Sequence, residues 1–411
     1  DYEPFLNHAI AGQYPPGSTF KVVTVAAALQ EGVVSPNRRL DAPGTIVIAN
    51  QFAPNDPGRA QEFVCWISLA PNFGSHESMN AVEGLAQSCD IYMYKIGGGF
   101  REENIRGLGI NTLAEYAEQF GFGRVQGIEL PLEAPGNVPS TQWKQVNFGE
   151  PWSTGDDYNA SIGQGFVTAT PLQVAQMAAV VANGGFLYRP RIVHHLTDAD
   201  DNVFVLNEDL NPVPAAEANV PISEDGKVGF VGQVIDVLDV SPEFLDVVAE
   251  GMQVVTTLDG TGTSFIYREN AETGERESDW LDDFGIVAAG KTGTSEFCDN
   301  LSQRKAWCTE EKILNAEVLP THSWYVGYAP YENPEIAVVA FIYYGGEGSQ
   351  WSAPIVRDVI AAYYGVDQYE GDPVLPEELI PDSVKARQIP DPEPELDPIE
   401  LEPATDDPNA N

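Results

Sequence analysis

One short stretch near the start of the chain determines where its first helix can begin. Residues 14–21 are Tyr-Pro-Pro-Gly-Ser-Thr-Phe-Lys, and a largely apolar run covers residues 22–29. Because two prolines followed by a glycine cannot continue a helix, they predict a turn with a buried helix behind it. Ser18 is therefore expected at a helix N-terminus, with Lys21 three residues later on the same face.

This serine and lysine admit two interpretations. A serine at the start of a helix is usually an N-cap, whose hydroxyl accepts a hydrogen bond from the helix backbone. A serine with an amine one turn away can instead be a nucleophile with a base within reach. The spacing does not decide between the two, so the choice depends on the rest of the chain.

The composition excludes several classes of partner. The chain has 411 residues, of which 43% are hydrophobic, so it can bury a large core. Its formal net charge of -41 excludes nucleic acid and anionic lipid surfaces as partners. Solubility with an acidic tail, or adaptation to a salt-rich habitat, would account for this charge. No apolar run is long enough to span a bilayer, so we expect any membrane anchor to lie upstream of Asp1.

The four cysteines fall into two local pairs, Cys65 with Cys89 and Cys298 with Cys308. Such pairs favour an oxidising compartment or a metal site over scattered free thiols. We therefore expect an extracytoplasmic location. For Cys298 and Cys308 we expect a disulfide.

The apolar pattern predicts helices first and strands later in the chain. Helical periodicity covers residues 77–97, 111–120, 170–181, 242–256 and 353–364, and Ser88-Cys89-Asp90 interrupts the first of these. Strand patterns cover residues 285–294, 323–328 and 336–343, and their short connections indicate antiparallel pairing. We expect turns from 121 to about 157, a surface insertion at about 196–240, and an acidic, proline-rich disordered tail at 371–411.

Three motifs that can carry chemistry follow one another in a fixed order. They are Ser18-x-x-Lys21, Ser88-x-Asp90 and Lys291-Thr292-Gly293. Each is a weak pattern alone, because a capped helix, a turn and a strand end explain them equally well. Together and in this order they are typical of penicillin-recognising enzymes.

On these motifs the chain resembles the transpeptidase domain of class B penicillin-binding proteins, most of all the elongation-type branch that cross-links peptidoglycan during lateral wall growth. The similarity extends to Ser-Ile-Gly-Gln-Gly at 161–165, Thr-Pro-Leu-Gln at 170–173 and Trp-Tyr-Val-Gly-Tyr-Ala-Pro at 324–330. It implies a transpeptidase domain over residues 1–370. The implied fold class is α+β, an antiparallel sheet flanked by helices plus an all-helical lobe. The family also has a membrane anchor and a pedestal domain, which we do not expect within residues 1–411.

The resemblance also implies a serine-type D,D-transpeptidase with a role for each motif residue. Ser18 is acylated by the D-Ala-D-Ala end of a stem peptide, Lys21 takes its proton, and Ser88 relays a proton to the leaving amine. The backbone amides of Ser18 and Thr294 form the oxyanion hole. The remaining catalytic residues are Asp90 and Lys291, and the substrate-binding residues are Thr292, Gly293 and Thr294.

One residue departs from the usual family pattern. The second motif most often ends in asparagine, whereas this chain has Asp90, which also occurs in the elongation-type branch. An ionised Asp90 beside Lys21 would raise the pKa of the lysine and weaken it as a base. We still expect activity, with the proton route left open.

A second site is expected around Cys65, His76 and Cys89, with Asp56 as a candidate fourth ligand. Two thiolates, an imidazole and a carboxylate satisfy tetrahedral zinc, and some elongation-type relatives carry a metal site just before the second motif. The alternative is a disulfide between Cys65 and Cys89, with His76 on the surface. Catalysis itself requires no cofactor.

The expected partners are peptidoglycan stem peptides, β-lactam antibiotics, a membrane glycosyltransferase and other proteins of the elongation machinery. Two rival functions remain. The first is a β-lactam sensor domain or non-catalytic penicillin-binding scaffold. The second is a D,D-carboxypeptidase or β-lactamase, in which water replaces the acceptor amine.

Overall fold

A computed structural model describes most of the chain between residues 5 and 365. The described ranges are 5–53, 55–69, 74–207, 209–223, 228–229, 232–257, 259–262, 267–269, 276–278, 281, 285–314 and 319–365. The tail predicted for residues 371–411 lies outside the described residues. No helix within these ranges is both long and apolar enough to cross a membrane.

Helices dominate the first two thirds of the described chain, and the long strands come afterwards. The helices are α1 (Lys21–Gln30), α2 (Trp66–Leu69), α3 (Ala81–Ala86), α4 (Asp90–Gly98), α5 (Ile110–Gln119), α6 (Thr141–Phe148), α7 (Thr154–Ser161), α8 (Pro171–Ala182), α9 (Pro242–Val255), α10 (Asn300–Arg304), α11 (Glu310–Leu314) and α12 (Gly348–Tyr363). The strands are β1 (Leu40–Ala42), β2 (Thr45–Ile48), β3 (Gln61–Val64), β4 (Glu77–Met79), β5 (Phe186–Tyr188), β6 (Leu196–Thr197), β7 (Val203–Leu206), β8 (Pro212–Pro214), β9 (Val234–Val237), β10 (Tyr267–Glu269), β11 (Arg276–Ser278), β12 (Ala289–Glu296), β13 (Thr321–Ala329) and β14 (Ile336–Ile342).

The main sheet has β13 in the middle, with β12 and β14 as antiparallel neighbours. Side chains alternate between its two faces. Trp324, Val326 and Tyr328 pack into the larger core with α1 and α8, while Tyr325 and Ala329 pack against α12. The predicted α+β fold, a sheet flanked by helices, is therefore confirmed. Among the described strands of this sheet, β12 forms one edge.

Helix α1 lies inside the larger core, as the apolar run predicts. All residues from Lys21 to Leu29 are buried, and the helix contacts α3, α4, α5 and α9. A helix that is apolar all round is stable only when it is surrounded by protein. The helical lobe therefore encloses the helix that follows Ser18.

The prediction of turns between residue 121 and about 157 is wrong in part. Helices α6 and α7 form there, although the α7 sequence contains few apolar residues. A capping box between Ser153 and Asp156 begins α7, and Lys144 of α6 forms an ion pair with Asp156 at 2.6 Å. Polar contacts of this kind leave no apolar periodicity in the sequence.

Strands β6, β7 and β8 form a small antiparallel sheet. Val205 of β7 makes a separate hydrophobic cluster with Ala215 and Val220, which follow β8. This sheet lies within the range predicted as a surface insertion. In the same range, β9 pairs instead with β5.

Candidate active site

Ser18 lies in a 3-10 turn, Gly17–Phe20, that leads directly into α1. Within the described part of the chain its hydroxyl makes no hydrogen bond, and no side chain caps this turn. The side chain is partly exposed, whereas Gly17, Thr19 and Phe20 are buried. Ser18 therefore presents a free hydroxyl and does not serve as an N-cap.

Hydrogen bonds from three separate parts of the fold hold this turn. The amide of Gly17 donates to the Gly163 carbonyl at 3.0 Å, and the indole of Trp324 donates to the Pro15 carbonyl at 3.0 Å. Tyr14 exchanges two backbone hydrogen bonds with Ala169. Ser18 is thus positioned by the main sheet and by the segments around α7 and α8.

Glycine at two positions lets the turn approach strand β12. Gly17 has φ +55°, and a Cβ there would lie 2.9 Å from the Thr294 carbonyl oxygen. A Cβ on Gly293 would lie 2.9 Å from Cγ2 of Thr19. Contacts this short do not occur for real Cβ atoms, so a side chain at either position would push the turn from the strand. The two glycines thereby bring the Ser18 backbone next to that of Thr294.

The ammonium of Lys21 is fully buried and has three oxygen acceptors. Its Nζ lies 2.6 Å from Oδ1 of Asp90, 2.7 Å from the Ser88 carbonyl oxygen and 3.2 Å from Oγ of Ser88. An ammonium group has three protons, so it can donate to all three. The second carboxylate oxygen of Asp90 accepts from the Trp66 amide at 3.0 Å. These distances are those of a buried ion pair between Lys21 and Asp90.

Ser88 and Asp90 reach Lys21 because the helix breaks between α3 and α4. Ser88 has φ +52°, a left-handed conformation that is unusual for a residue with a side chain, and Asp90 is the first residue of α4. Both side chains are buried. Burial raises the pKa of Asp90, and the Lys21 cation opposes this shift.

The third motif lies on β12, against the turn that carries Ser18. Lys291 is fully buried, and its Nζ donates to the Thr292 carbonyl at 3.0 Å. Burial, and then the Lys21 cation, lower the pKa of Lys291 well below its usual value. Desolvation and repulsion by Lys21 therefore both favour the neutral form of Lys291.

The hydroxyls of Thr292 and Thr294 lie on the same side of β12, two residues apart. Thr292 Oγ1 shares a hydrogen bond with Thr261 Oγ1 at 2.7 Å. Thr294 Oγ1 donates to Oε2 of Glu347 at 2.9 Å. The sequence reasoning misses Glu347, since no motif marks a contact between residues 53 positions apart.

Cys65, His76 and Cys89 lie together beside the second motif. Their ligand atoms are all within 4.8 Å of one another, and both cysteines are free and buried. The alternative of a disulfide between them is therefore not seen. A hydrogen bond with Cys89 is the main cause that lowers the pKa of Cys65 to about 3, while burial raises the pKa of Cys89. In this pair Cys65 therefore loses its proton more readily than Cys89.

The three donors fit a zinc ion. Nε2 of His76 is buried and has no hydrogen-bond partner among the described residues. Thiolate and imidazole are the ligands that zinc prefers in structural sites. Asp56, the predicted fourth ligand, is not in this group. Its exposed carboxylate instead accepts a hydrogen bond from the Gly58 amide at 3.0 Å and forms an ion pair with Arg59 at 3.4 Å.

The other two cysteines, Cys298 and Cys308, form the expected disulfide. It links the end of β12 to the segment after α10, on the connection to β13.

Comparison with known proteins agrees with this geometry. Residues 1–361 match the family described as penicillin binding protein transpeptidase domain. The peptidoglycan D,D-transpeptidase MrdA of Haemophilus influenzae is 29% identical over 361 residues, which are 88% of this chain and 46% of that protein. This chain thus spans about half the length of that curated relative.

Two solved structures show the same fold. The imipenem acyl-enzyme complex of penicillin-binding protein A from M. tuberculosis has a TM-score of 0.58 and 26% identity, over 89% of this chain and 63% of that one. A peptidoglycan synthase complex that coordinates polymerization and crosslinking has a TM-score of 0.60 and 27% identity, over 90% of this chain and 50% of that one. Because the family match covers most of its length, the chain belongs to the penicillin-binding protein transpeptidase family, as its motifs predict.

Proposed function

We propose that this protein is a serine-type peptidoglycan D,D-transpeptidase of the elongation type. The observation that carries the proposal is the convergence of the three motifs around Ser18. The turn that carries the Ser18 hydroxyl leads directly into Lys21, which pairs with Asp90, and it packs against the strand that carries Lys291. A nucleophile, a proton acceptor and an open strand edge for a peptide are the parts that acyl transfer requires.

In the first half of the reaction, Ser18 Oγ attacks the carbonyl carbon of the penultimate D-alanine and passes its proton to Lys21. The bond to the terminal D-alanine breaks, and its nitrogen leaves after receiving a proton through Ser88. In the second half, the amine of a neighbouring stem attacks the ester and takes the acyl group. Its surplus proton returns along the same route to Ser18, which restores the enzyme.

Lys21 must lose a proton before it can accept one from Ser18. Asp90 is the nearest acceptor, at 2.6 Å, and burial raises the pKa of its carboxyl group. Transfer of a proton from Lys21 to Asp90 gives two neutral groups, and burial lowers the cost of this transfer because desolvation penalises both charges. We therefore assign to Asp90 the role of holding that proton while Lys21 acts as the base.

The backbone amides of Ser18 and Thr294 are the proposed oxyanion hole. The close approach at Gly17 brings these two stretches of backbone together and supports this assignment. The donor peptide would lie along the open edge of β12, with its terminal carboxylate near Thr292 and Lys291.

A fluorescent penicillin tests the nucleophile. We expect a covalent adduct with the wild-type chain and none with Ser18→Ala, while Ser35→Ala, a serine outside the three motifs, serves as the matched control. The absence of an adduct with the wild-type protein, or one that persists in Ser18→Ala, would contradict the proposal. The acyl-enzyme seen with the M. tuberculosis relative supports the expected result.

Turnover separates the rival functions. A transpeptidase gives a cross-linked product when an acceptor amine is added to a D-Ala-D-Ala donor, whereas a carboxypeptidase gives only the hydrolysed donor. Rapid release of the penicillin adduct would identify a β-lactamase. A stable adduct without any peptide product would identify a sensor domain or a non-catalytic scaffold.

We propose that Cys65, His76 and Cys89 hold a structural zinc ion. The ion would fix the turn that carries Ser88, because Cys89 lies between Ser88 and Asp90 and the Asp90 amide donates to Cys65 Sγ at 3.4 Å. Its contribution would be structural, with no part in proton transfer. Elemental analysis of protein prepared without added zinc should give about one equivalent, and less with Cys89→Ser. A stoichiometry near zero would remove this site.

We also propose an extracytoplasmic location at the membrane and a membrane glycosyltransferase and other elongation proteins as partners. The Cys298–Cys308 disulfide supports the location, because such bonds persist in oxidising compartments. The related synthase complex supports the partner, because that assembly joins polymerization to crosslinking. Crosslinking in native membranes should recover a glycosyltransferase, and recovery of none would contradict the proposed partnership.

A further inference from the structure

The hydroxyl of Thr294 already makes two hydrogen bonds, one as donor and one as acceptor. It donates to Oε2 of Glu347 at 2.9 Å and accepts from the Gly348 amide at 3.2 Å. A threonine hydroxyl has a single proton to donate. While the bond to Glu347 persists, Thr294 therefore cannot donate to an incoming anion.

Thr292 is in a different state. Its hydroxyl shares a hydrogen bond with that of Thr261, in which either can be the donor, and it accepts a longer one from Lys291 Nζ at 3.4 Å. Thr292 can therefore accept from Thr261 and give its own proton to a ligand. Of the two threonines expected at the substrate carboxylate, Thr292 is ready to bind an anion and Thr294 is not.

The backbone fixes Glu347 beside strand β12. Gly348 packs so closely that a Cβ there would overlap the carbonyl oxygens of Gly293 and Trp324. The hydroxyl of Ser323 donates to the Glu347 carbonyl at 3.2 Å and shares a hydrogen bond with Ser352 at 2.7 Å. The side chain of Glu347 is exposed and can rotate, but its backbone is held against the strand.

We propose that Glu347 is a specificity-determining residue that competes with the ligand's terminal carboxylate for the hydroxyl of Thr294. The inference rests on the proposed function, which places that carboxylate near the two threonines. Binding breaks the hydrogen bond between Thr294 and Glu347 and forms one between Thr294 and the ligand, next to a second negative charge. Glu347 therefore slows acylation by ligands with a free carboxylate, such as D-Ala-D-Ala peptides and penicillins, and this penalty is smaller for ligands that are neutral at this position.

The test is the second-order rate constant for acylation of the full chain by a fluorescent penicillin. Removing a like charge about 4 Å away should raise this constant about fivefold in Glu347→Gln. Glu347→Ala should raise it further, because the Thr294 proton is then free. Glu118→Gln removes an exposed charge on α5 and should leave the rate constant unchanged.

Three further readouts distinguish this role from a general effect on structure. Added NaCl should accelerate the wild-type chain more than Glu347→Gln, since salt screens the exposed charge. A penicillin esterified at its carboxylate should show no gain from Glu347→Ala. In a Thr294→Val background the gain should shrink, because the competition acts through that hydroxyl.

The outcomes separate this inference from the proposed function. A wild-type chain that forms no Ser18-dependent adduct contradicts the proposed function and removes the basis of the inference. If the wild type is acylated normally and the rate constants of Glu347→Gln and Glu347→Ala equal that of the wild type, only the role of Glu347 is overturned. An equal gain for the esterified penicillin overturns it as well.

Discussion

Lys21 and Asp90 share one short ion pair in the interior of the protein. Removing two charges from water is expensive, and their mutual attraction offsets this cost only when further hydrogen bonds complete the geometry. Here the Ser88 carbonyl and the Trp66 amide supply those bonds. The pair as a whole therefore contributes little to the free energy of unfolding. Removing either charge alone, however, leaves the other one buried without a partner.

Replacing one member of this pair should expose that dependence. We expect Asp90→Ala to lower the free energy of unfolding by about 3 kcal/mol, because it leaves Lys21 buried without a counter-charge. Asp90→Asn should cost less, since the amide oxygen can still accept from Lys21. Urea unfolding of the three proteins measures the difference. Equal losses for the two variants would show that the hydrogen bond to Lys21 adds nothing beyond the charge of Asp90, and no loss in either variant would show that the charge is unimportant.

Asp157 on α7 gives a pH-dependent prediction. Burial raises its pKa from 3.8 to about 6, although the Trp152 indole donates to it at 2.8 Å. The folded state therefore binds more protons than the unfolded state, and this contribution to stability is complete below pH 3.8 and is lost as the pH rises through about 6. Between pH 8 and pH 5 the wild type should gain about 1 kcal/mol that Asp157→Asn does not gain.

Urea unfolding at pH 5 and pH 8 gives this difference for the wild type and for Asp157→Asn. The comparison with the variant removes the contributions of all other carboxyl groups. A difference of zero, or one of opposite sign, would contradict the raised pKa.

At the scale of elements, the sequence predicts what hydrophobic periodicity and turn residues encode. Examples are the break at Ser88 between α3 and α4 and the antiparallel strands β12, β13 and β14. In both cases the burial of apolar side chains sets the pattern of residues that the sequence shows. Apolar periodicity does not predict helix α7, because a capping box and an ion pair stabilise it. The sequence does not predict the contact of Glu347 with Thr294 either, because it forms only when the N-terminus of α12 packs on β12.

The close approach between β12 and the turn that carries Ser18 can be tested at Gly293. We expect Gly293→Ala to slow acylation about a hundredfold, because its Cβ would displace Thr19 and with it the turn that carries Ser18. Gly74→Ala is the matched control, since a Cβ there meets no atom within 4 Å. The rate constant with a fluorescent penicillin measures both variants. Equal rates for both would show that the contact tolerates a side chain.

The whole molecule carries a formal net charge of -41. Self-repulsion of this size opposes the compact state, and salt screens it over distances of about 10 Å at 0.1 M. We therefore expect Tm to rise as NaCl increases from low ionic strength to about 0.5 M. Differential scanning calorimetry at pH 8 measures it, and a constant or falling Tm would show that other ion pairs compensate for the excess charge.

The small sheet of β6, β7 and β8 is a suitable place to attach a label. Its hydrophobic cluster of Val205, Ala215 and Val220 is separate from the larger core that positions Ser18. The turn between β6 and β7, around Asp200, is exposed and is held by local hydrogen bonds to Asp198. A fluorophore or an affinity tag attached there would label the protein while leaving the residues around Ser18 unmodified.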